Sequence, residues 1–141
     1  MKKLLILALA ALFVAAAAVS VPASAQEQAQ ASGELQPVSW ENWRNAKAKA
    51  EEFYAAGQYV QALQYYLEYA RQAEGLGRPE LVAWGKNNAA YMIIKRHKQD
   101  RSVDLAPAKK LLEEAMAIPE ASEDCKRVLE SNMAYVKMFL D

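Results

Sequence analysis

The chain has 141 residues, and 17 basic and 17 acidic side chains give it a formal net charge of zero. One cysteine and one histidine exclude a Cys/His zinc site, a disulfide framework and a Cys-x-x-Cys redox pair. The lack of a basic excess argues against a nucleic-acid partner, because neutralising phosphates requires one. The length fits a single domain. We expect no metal and no cofactor.

Residues 1–25 have the three parts of a secretory signal peptide. A short basic stretch precedes an uninterrupted apolar run over residues 4–19, and Ala23 and Ala25 are small residues at the positions that signal peptidase reads. The sixteen apolar residues fall short of the roughly 20 that span a bilayer, which favours cleavage over a retained anchor. The pattern of this signal peptide is typical of bacterial proteins. We therefore expect an exported protein whose membrane contact is peripheral at most. The periplasm is the favoured location, and secretion is the alternative.

The mature chain divides into a linker and a helical domain. Residues 26–38, rich in Gln, Ala and Ser, are expected to form a flexible linker, and residues 39–141 to form the domain. Apolar residues recur there at helical spacing. The predicted helices run from Trp40 to Tyr54, from Tyr59 to Ala73, roughly from Glu80 to His97, roughly from Leu105 to Ala117, and from Ser122 to the chain end. Without strand candidates, the fold class is all-α.

Two stretches of the domain share a repeated pattern. The first copy reads Ala46-x-x-Lys49-Ala50-x-x-Phe53, then Gly57-x-Tyr59-x-x-Ala62-x-x-x-Tyr66. The second copy reads Trp84-x-x-Asn87-Asn88-x-x-Tyr91, then Ala108-x-x-x-Leu112-x-x-Ala115. This pattern resembles the tetratricopeptide repeat (TPR) family, in which each repeat is an antiparallel helix pair. About eight extra residues enlarge the turn between Lys95 and Leu105 relative to that repeat.

The resemblance implies a short TPR-like α-solenoid of two stacked helix pairs and a C-terminal capping helix. A closed five-helix bundle is the alternative. In the TPR family, the first helix of each pair lines a concave groove that receives peptides. By position, the groove candidates are Arg44, Lys47, Glu51, Tyr54, Val82, Lys86, Ala89, Met92, Lys126 and Met133. Glu51 stands where family members that clamp a terminal carboxylate have Asn, which argues against such clamping here.

No pattern in the sequence indicates an enzyme. There is no phosphate loop, HExxH or GxSxG motif, and Glu51-Glu52 and Glu113-Glu114 are adjacent in helices and so point in different directions. His97 is interpreted as a solvated residue at a helix end. Cys125 is interpreted as a small packed residue. Gly85, within the third helix, indicates either close packing or a weak point.

Two groups of residues are candidates for surface contacts. Lys95, Arg96, Lys98 and Arg101 could bind an anionic group, although the interpretation we favour is that they complement the helix dipole. Tyrosines 59, 65, 66 and 69 cannot all face one core side of the second helix. We therefore expect at least one of Tyr65 and Tyr69 on the surface, where tyrosine favours binding.

These observations predict a non-catalytic interaction module that binds a protein or peptide through its helical groove. Two alternatives remain. The chain could be a self-assembling envelope protein, because a short repeat stack has an open end. It could also bind an anionic surface, such as a phospholipid headgroup, through the basic loop at residues 95–101.

Overall fold

A computed structural model describes residues 35–140. This part of the chain contains five helices and no strand, which confirms the all-α fold class. The helices are α1 (Trp40–Ala55), α2 (Tyr59–Gly75), α3 (Pro79–Gln99), α4 (Ala106–Met116) and α5 (Glu123–Leu140). The predicted signal peptide and most of the predicted linker lie outside the described residues.

Short polar side chains begin three of the helices. The Ser39 hydroxyl accepts a hydrogen bond from the Asn42 amide at 3.0 Å, and the Ser122 hydroxyl accepts one from the Cys125 amide at 3.2 Å. Both bonds satisfy an amide that has no partner within its helix. Asp104 accepts from the Ala106 amide at 2.9 Å at the start of α4. Ser39 and Ser122 thus cap their helices, whereas the N-cap position of α4 is Leu105, whose side chain makes no capping bond.

Glycines with positive φ end α1 and α2. Gly57 has a φ of 73° and Gly77 a φ of 68°, a conformation that costs glycine little because it has no Cβ. Pro79 follows Gly77 and occupies the first turn of α3, where a proline leaves no helix hydrogen bond unmade. The turns between α1, α2 and α3 are consequently short.

The helices pack mainly in chain order. α1 packs on α2, α2 on α3 and α3 on α4, while α5 contacts both α3 and α4. α2 therefore has a packed helix on each of two sides. One apolar cluster joins α1, α2 and α3, and a second joins α3, α4 and α5. α3 contributes to both clusters and is the central helix of the domain.

The position of α2 between two helices overturns one expectation from the sequence. Tyr65, Tyr66 and Tyr69 are all buried, so the expectation of a surface tyrosine among Tyr65 and Tyr69 is wrong. Tyr65 stacks on Phe53 of α1 with ring centroids 5.4 Å apart. The ring centroid of Tyr69 lies 5.0 Å from that of Trp43, which is also on α1. A helix that contacts neighbours on two sides buries more than one stripe of side chains.

Gly85 is a close-packing position. A Cβ atom placed there would lie 2.6 Å from Cδ1 of Tyr69 and 2.8 Å from Cβ of Ala70, both on α2. Atoms cannot approach that closely without displacement. The glycine therefore lets α3 lie against α2, and this contact compensates for its low helix propensity.

Cys125 is buried in the cluster that joins α3, α4 and α5. Burial raises the pKa of its thiol, because an apolar environment disfavours the thiolate. The interpretation of Cys125 as a small packed residue is confirmed.

An extended segment before α1 is held against α2 by Gln72, whose side chain is fully buried. Its amide oxygen accepts from the Ser39 backbone at 2.9 Å, and its amide nitrogen donates to the Pro37 carbonyl at 2.9 Å. Arg71 donates to the Gln36 carbonyl at 2.5 Å. Residues 36–38, which the sequence assigns to the linker, thus make specific contacts with α2.

Candidate functional site

Three tyrosines surround one lysine where α1, α2 and α3 meet, and we call Tyr54, Tyr59, Tyr91 and Lys95 the tyrosine cluster. The ring of Tyr54 lies 6.0 Å from that of Tyr59 and 6.3 Å from that of Tyr91, measured between centroids. Nζ of Lys95 lies 5.5 Å from the centroid of Tyr59 and 5.9 Å from those of the other two rings. These distances are within the range of cation–π attraction.

The local sequence explains how these residues meet. Tyr54 lies in the last turn of α1 and Tyr59 is the first residue of α2, so the tight turn at Gly57 keeps them close. Tyr91 and Lys95 are four residues apart on α3, a spacing that places two side chains on the same helix face. The packing of α2 against both α1 and α3 then brings the two pairs together.

The electrostatics of the tyrosine cluster keep its lysine charged. The pKa of Lys95 is raised, chiefly by Tyr59 and Tyr91. The pKa of Tyr91 is raised by burial and then by Tyr54, although Lys95 opposes the change. At neutral pH the cluster therefore presents the Lys95 ammonium group beside the protonated phenol of Tyr91. It is suited to binding by hydrogen bonds, ring contacts and positive charge.

The structure joins two sets of residues that the sequence treats separately. Tyr54 is a groove candidate and Lys95 a candidate for anionic contact, yet both belong to the tyrosine cluster. Lys47 and Glu51, two more groove candidates, form an ion pair at 2.6 Å on the same helix as Tyr54. Arg44 is exposed on that helix.

The remaining groove candidates lie outside the tyrosine cluster and the neighbouring surface of α1. Lys86 pairs with Glu114 of α4 at 2.5 Å, which lowers the pKa of Glu114, and Lys126 pairs with Glu123 of its own helix at 2.8 Å. The other four candidates are buried and contribute to the core, so the prediction that they line a groove is wrong. They are Val82, Ala89, Met92 and Met133. Tyr91 lies nine residues after Val82, a spacing that places the two side chains on opposite faces of α3.

His97 corrects a further interpretation from the sequence. Only 4% of this residue is exposed, so it is not a solvated residue at a helix end. Nδ1 lies 2.9 Å from the Tyr135 hydroxyl, and an Arg101 N–H donates to the same hydroxyl at 2.9 Å. The Arg101 guanidinium also lies 3.4 Å from Nδ1. The Arg101 guanidinium can only donate, whereas the direction of the His97–Tyr135 bond depends on the tautomer of His97.

The basic residues after Lys95 contact aromatic rings of α5. Nζ of Lys98 lies 4.8 Å from the centroid of Tyr135, and Cζ of Arg101 lies 4.8 Å from that of Phe139. Arg96, the fourth candidate for anionic contact, is half-buried. The enlarged turn folds beside these residues and lines a cavity of about 320 Å³ with His97, Arg101 and Phe139. The turn thus lies against the end of α5.

Sequence reasoning did not select Tyr59, Tyr91, Tyr135 or Phe139 as site residues. Each occupies a position where an apolar residue is expected in a helix, so the helical pattern alone assigns it to the core. The available signal was the four-residue spacing between Tyr91 and Lys95 and between Tyr135 and Phe139. The partner rings come from other helices, so spacing alone could not show the cluster.

Within residues 35–140, no group of three or more His, Cys, Asp or Glu side chains is arranged to hold a metal ion. In the same range, no helix has the length and apolar character needed to cross a membrane.

Comparison of the chain with protein-family models, with curated proteins and with solved structures gives no match.

Proposed function

We propose that this chain is an exported, non-catalytic interaction module that binds a protein or peptide through the tyrosine cluster and the neighbouring surface of α1. Its architecture is a TPR-like stack of the pairs α1–α2 and α3–α4, closed by α5. The chain-order packing and the contact of α5 with both α3 and α4 support this arrangement. The periplasm is the expected location, on the evidence of the leader.

The observation that carries the proposal is the position of Tyr54. This ring is 37% exposed, yet its neighbours Tyr59 and Tyr91 and the Lys95 ammonium surround it. A tyrosine held in place loses little entropy when a partner covers it, and tyrosine is enriched among the residues that dominate binding energy. The cluster therefore offers an ordered aromatic surface with one positive charge.

Photo-cross-linking tests the proposed surface. A photoreactive amino acid is placed at Lys47, an exposed position on α1, and the exported protein is irradiated in intact cells. We expect a cross-linked protein or peptide that mass spectrometry can identify, and we expect it to disappear when Tyr54→Ala is added. The matched control places the same photoreactive residue at Leu67, an exposed position on α2, in the same two backgrounds.

The cross-linked products separate the candidate functions. A foreign product that persists unchanged with Tyr54→Ala would contradict binding through the tyrosine cluster. A product with twice the mass of the chain would favour the self-assembling alternative. For the location, N-terminal sequencing of the periplasmic fraction should find a chain that starts at Gln26, and an intact leader would contradict that expectation.

A further inference from the structure

The last turn of α5 presents apolar side chains to solvent next to basic residues of α3 and the enlarged turn. Met138 is 76% exposed, and Phe139 and Leu140 are also exposed. Arg101 lies over the Phe139 ring, and Lys98 lies over Tyr135 one turn earlier on α5. We call this surface, formed by Lys98, Arg101 and residues 138–140, the basic–apolar corner.

The two cations of this corner are not neutralised by ion pairs. Within residues 35–140, neither Lys98 nor Arg101 is ion-paired with a carboxylate, whereas several other basic residues are. The two acids of the enlarged turn do not pair with either cation and accept hydrogen bonds from other groups instead. Asp100 accepts from the amide and hydroxyl of Ser102, which lowers its pKa, and Asp104 accepts from the Ala106 amide. The two positive charges thus remain available to an anionic partner.

We propose that the basic–apolar corner docks on the surface of an anionic lipid bilayer, with Lys98 and Arg101 on headgroup phosphates and residues 138–140 among the upper acyl chains. Exposed apolar side chains beside unpaired cations are the combination that holds a protein in the bilayer interface. The charges attract the protein to the anionic surface, and the apolar groups add affinity once it arrives. A bilayer offers both kinds of partner side by side, because its anionic headgroups lie directly above its acyl chains.

This docking goes beyond the proposed protein binding and uses other residues. The tyrosine cluster contains neither Lys98 nor Arg101, and it lies where α1, α2 and α3 meet rather than at the end of α5. A variant of the corner can therefore lose lipid binding while the tyrosine cluster keeps its structure.

Vesicle co-flotation of the purified exported protein, which we expect to start at Gln26, tests the proposal. The vesicles contain either 30% phosphatidylglycerol in phosphatidylcholine or phosphatidylcholine alone. The first variant is Lys98→Gln with Arg101→Gln, and the matched control is Lys110→Gln with Arg127→Gln, which removes two exposed cations of α4 and α5. A second variant, Met138→Ser, changes a side chain that the core does not use.

We expect the parent and the charge control to bind the anionic vesicles, and binding to fall as salt is raised. Each cation near an anionic surface contributes about fivefold, so the corner variant should bind about 25-fold more weakly. Met138→Ser should weaken binding several-fold with unchanged helicity. The proposal would be overturned if the parent did not bind the vesicles or bound both kinds equally. It would also be overturned if the corner variant and Met138→Ser bound as strongly as the charge control.

Discussion

The Tyr135 hydroxyl of α5 lies 2.9 Å from Nδ1 of His97 on α3 and accepts a hydrogen bond from Arg101. The three residues form a chain in which Arg101 donates to Tyr135, and Tyr135 shares a second hydrogen bond with His97. This chain fixes the enlarged turn and the last helix to the C-terminal half of α3. It thereby positions the side chains of the basic–apolar corner.

Tyr135→Phe should destabilise the domain by about 1–2 kcal/mol, because it removes the hydroxyl that hydrogen-bonds the buried Nδ1 of His97. Urea unfolding followed by circular dichroism measures the free energy of unfolding. Tyr54→Phe, which removes a hydroxyl from a more exposed ring, is the control and should change it less. Equal effects of the two substitutions would show that the hydroxyl of Tyr135 has no structural role.

The sequence predicts the helices well, since helix formation depends on residues close together in the chain. The capping bonds of Ser39 and Ser122 span three residues each. Burial of His97 depends instead on Tyr135, 38 positions away, and no local pattern indicates that contact. Likewise, no local pattern indicates that α2 buries a second face, because that face is buried by its contact with α3.

For the candidate site, the residue types were partly predictable but their grouping was not. Tyr54 and Lys95 were both selected, for different roles. They meet only because α2 brings α1 and α3 together. The stacking of the helix pairs as a solenoid, which the groove candidates assume, remains a prediction.

Gly85→Ala should lower the stability of the domain by up to about 2 kcal/mol. Alanine favours a helix by about 1 kcal/mol over glycine, but the added Cβ would clash with Tyr69 and Ala70 at a cost of about 1–3 kcal/mol. Urea unfolding measures the difference. Ala48→Gly, at an exposed position of α1, provides the control because it reports helix propensity without a packing change. A stabilised Gly85→Ala variant would show that α2 moves to accommodate the added Cβ without a loss of free energy.

Cys125 should react with a thiol reagent only when the domain opens, because its side chain is buried and burial raises its thiol pKa. Absorbance after addition of 5,5′-dithiobis(2-nitrobenzoate) measures the reaction. We expect little reaction in buffer and one thiol per chain in urea, in agreement with the single cysteine of the sequence. Rapid modification in buffer would contradict the packed position and would make an intermolecular disulfide feasible.

Tyr69 should make the domain sensitive to alkaline pH. Burial raises the pKa of its hydroxyl from 10.0 to about 12, an effect that Trp43 partly opposes. The unfolded chain therefore releases this proton at a lower pH than the folded chain does. The stabilisation is complete below pH 10 and is lost as the pH rises toward 12, by roughly 2–3 kcal/mol in total.

Comparison of the parent with Tyr69→Phe isolates this contribution, because lysines titrate in the same range in both proteins. Urea unfolding at a series of pH values from 8 to about 12 gives the free energy of unfolding of each. We expect the parent to lose more stability than Tyr69→Phe as the pH rises above 10, whatever their difference at pH 8. Parallel pH profiles would show that the Tyr69 hydroxyl ionises equally easily in the folded and unfolded chains, which its burial between Trp43 and Gly85 argues against.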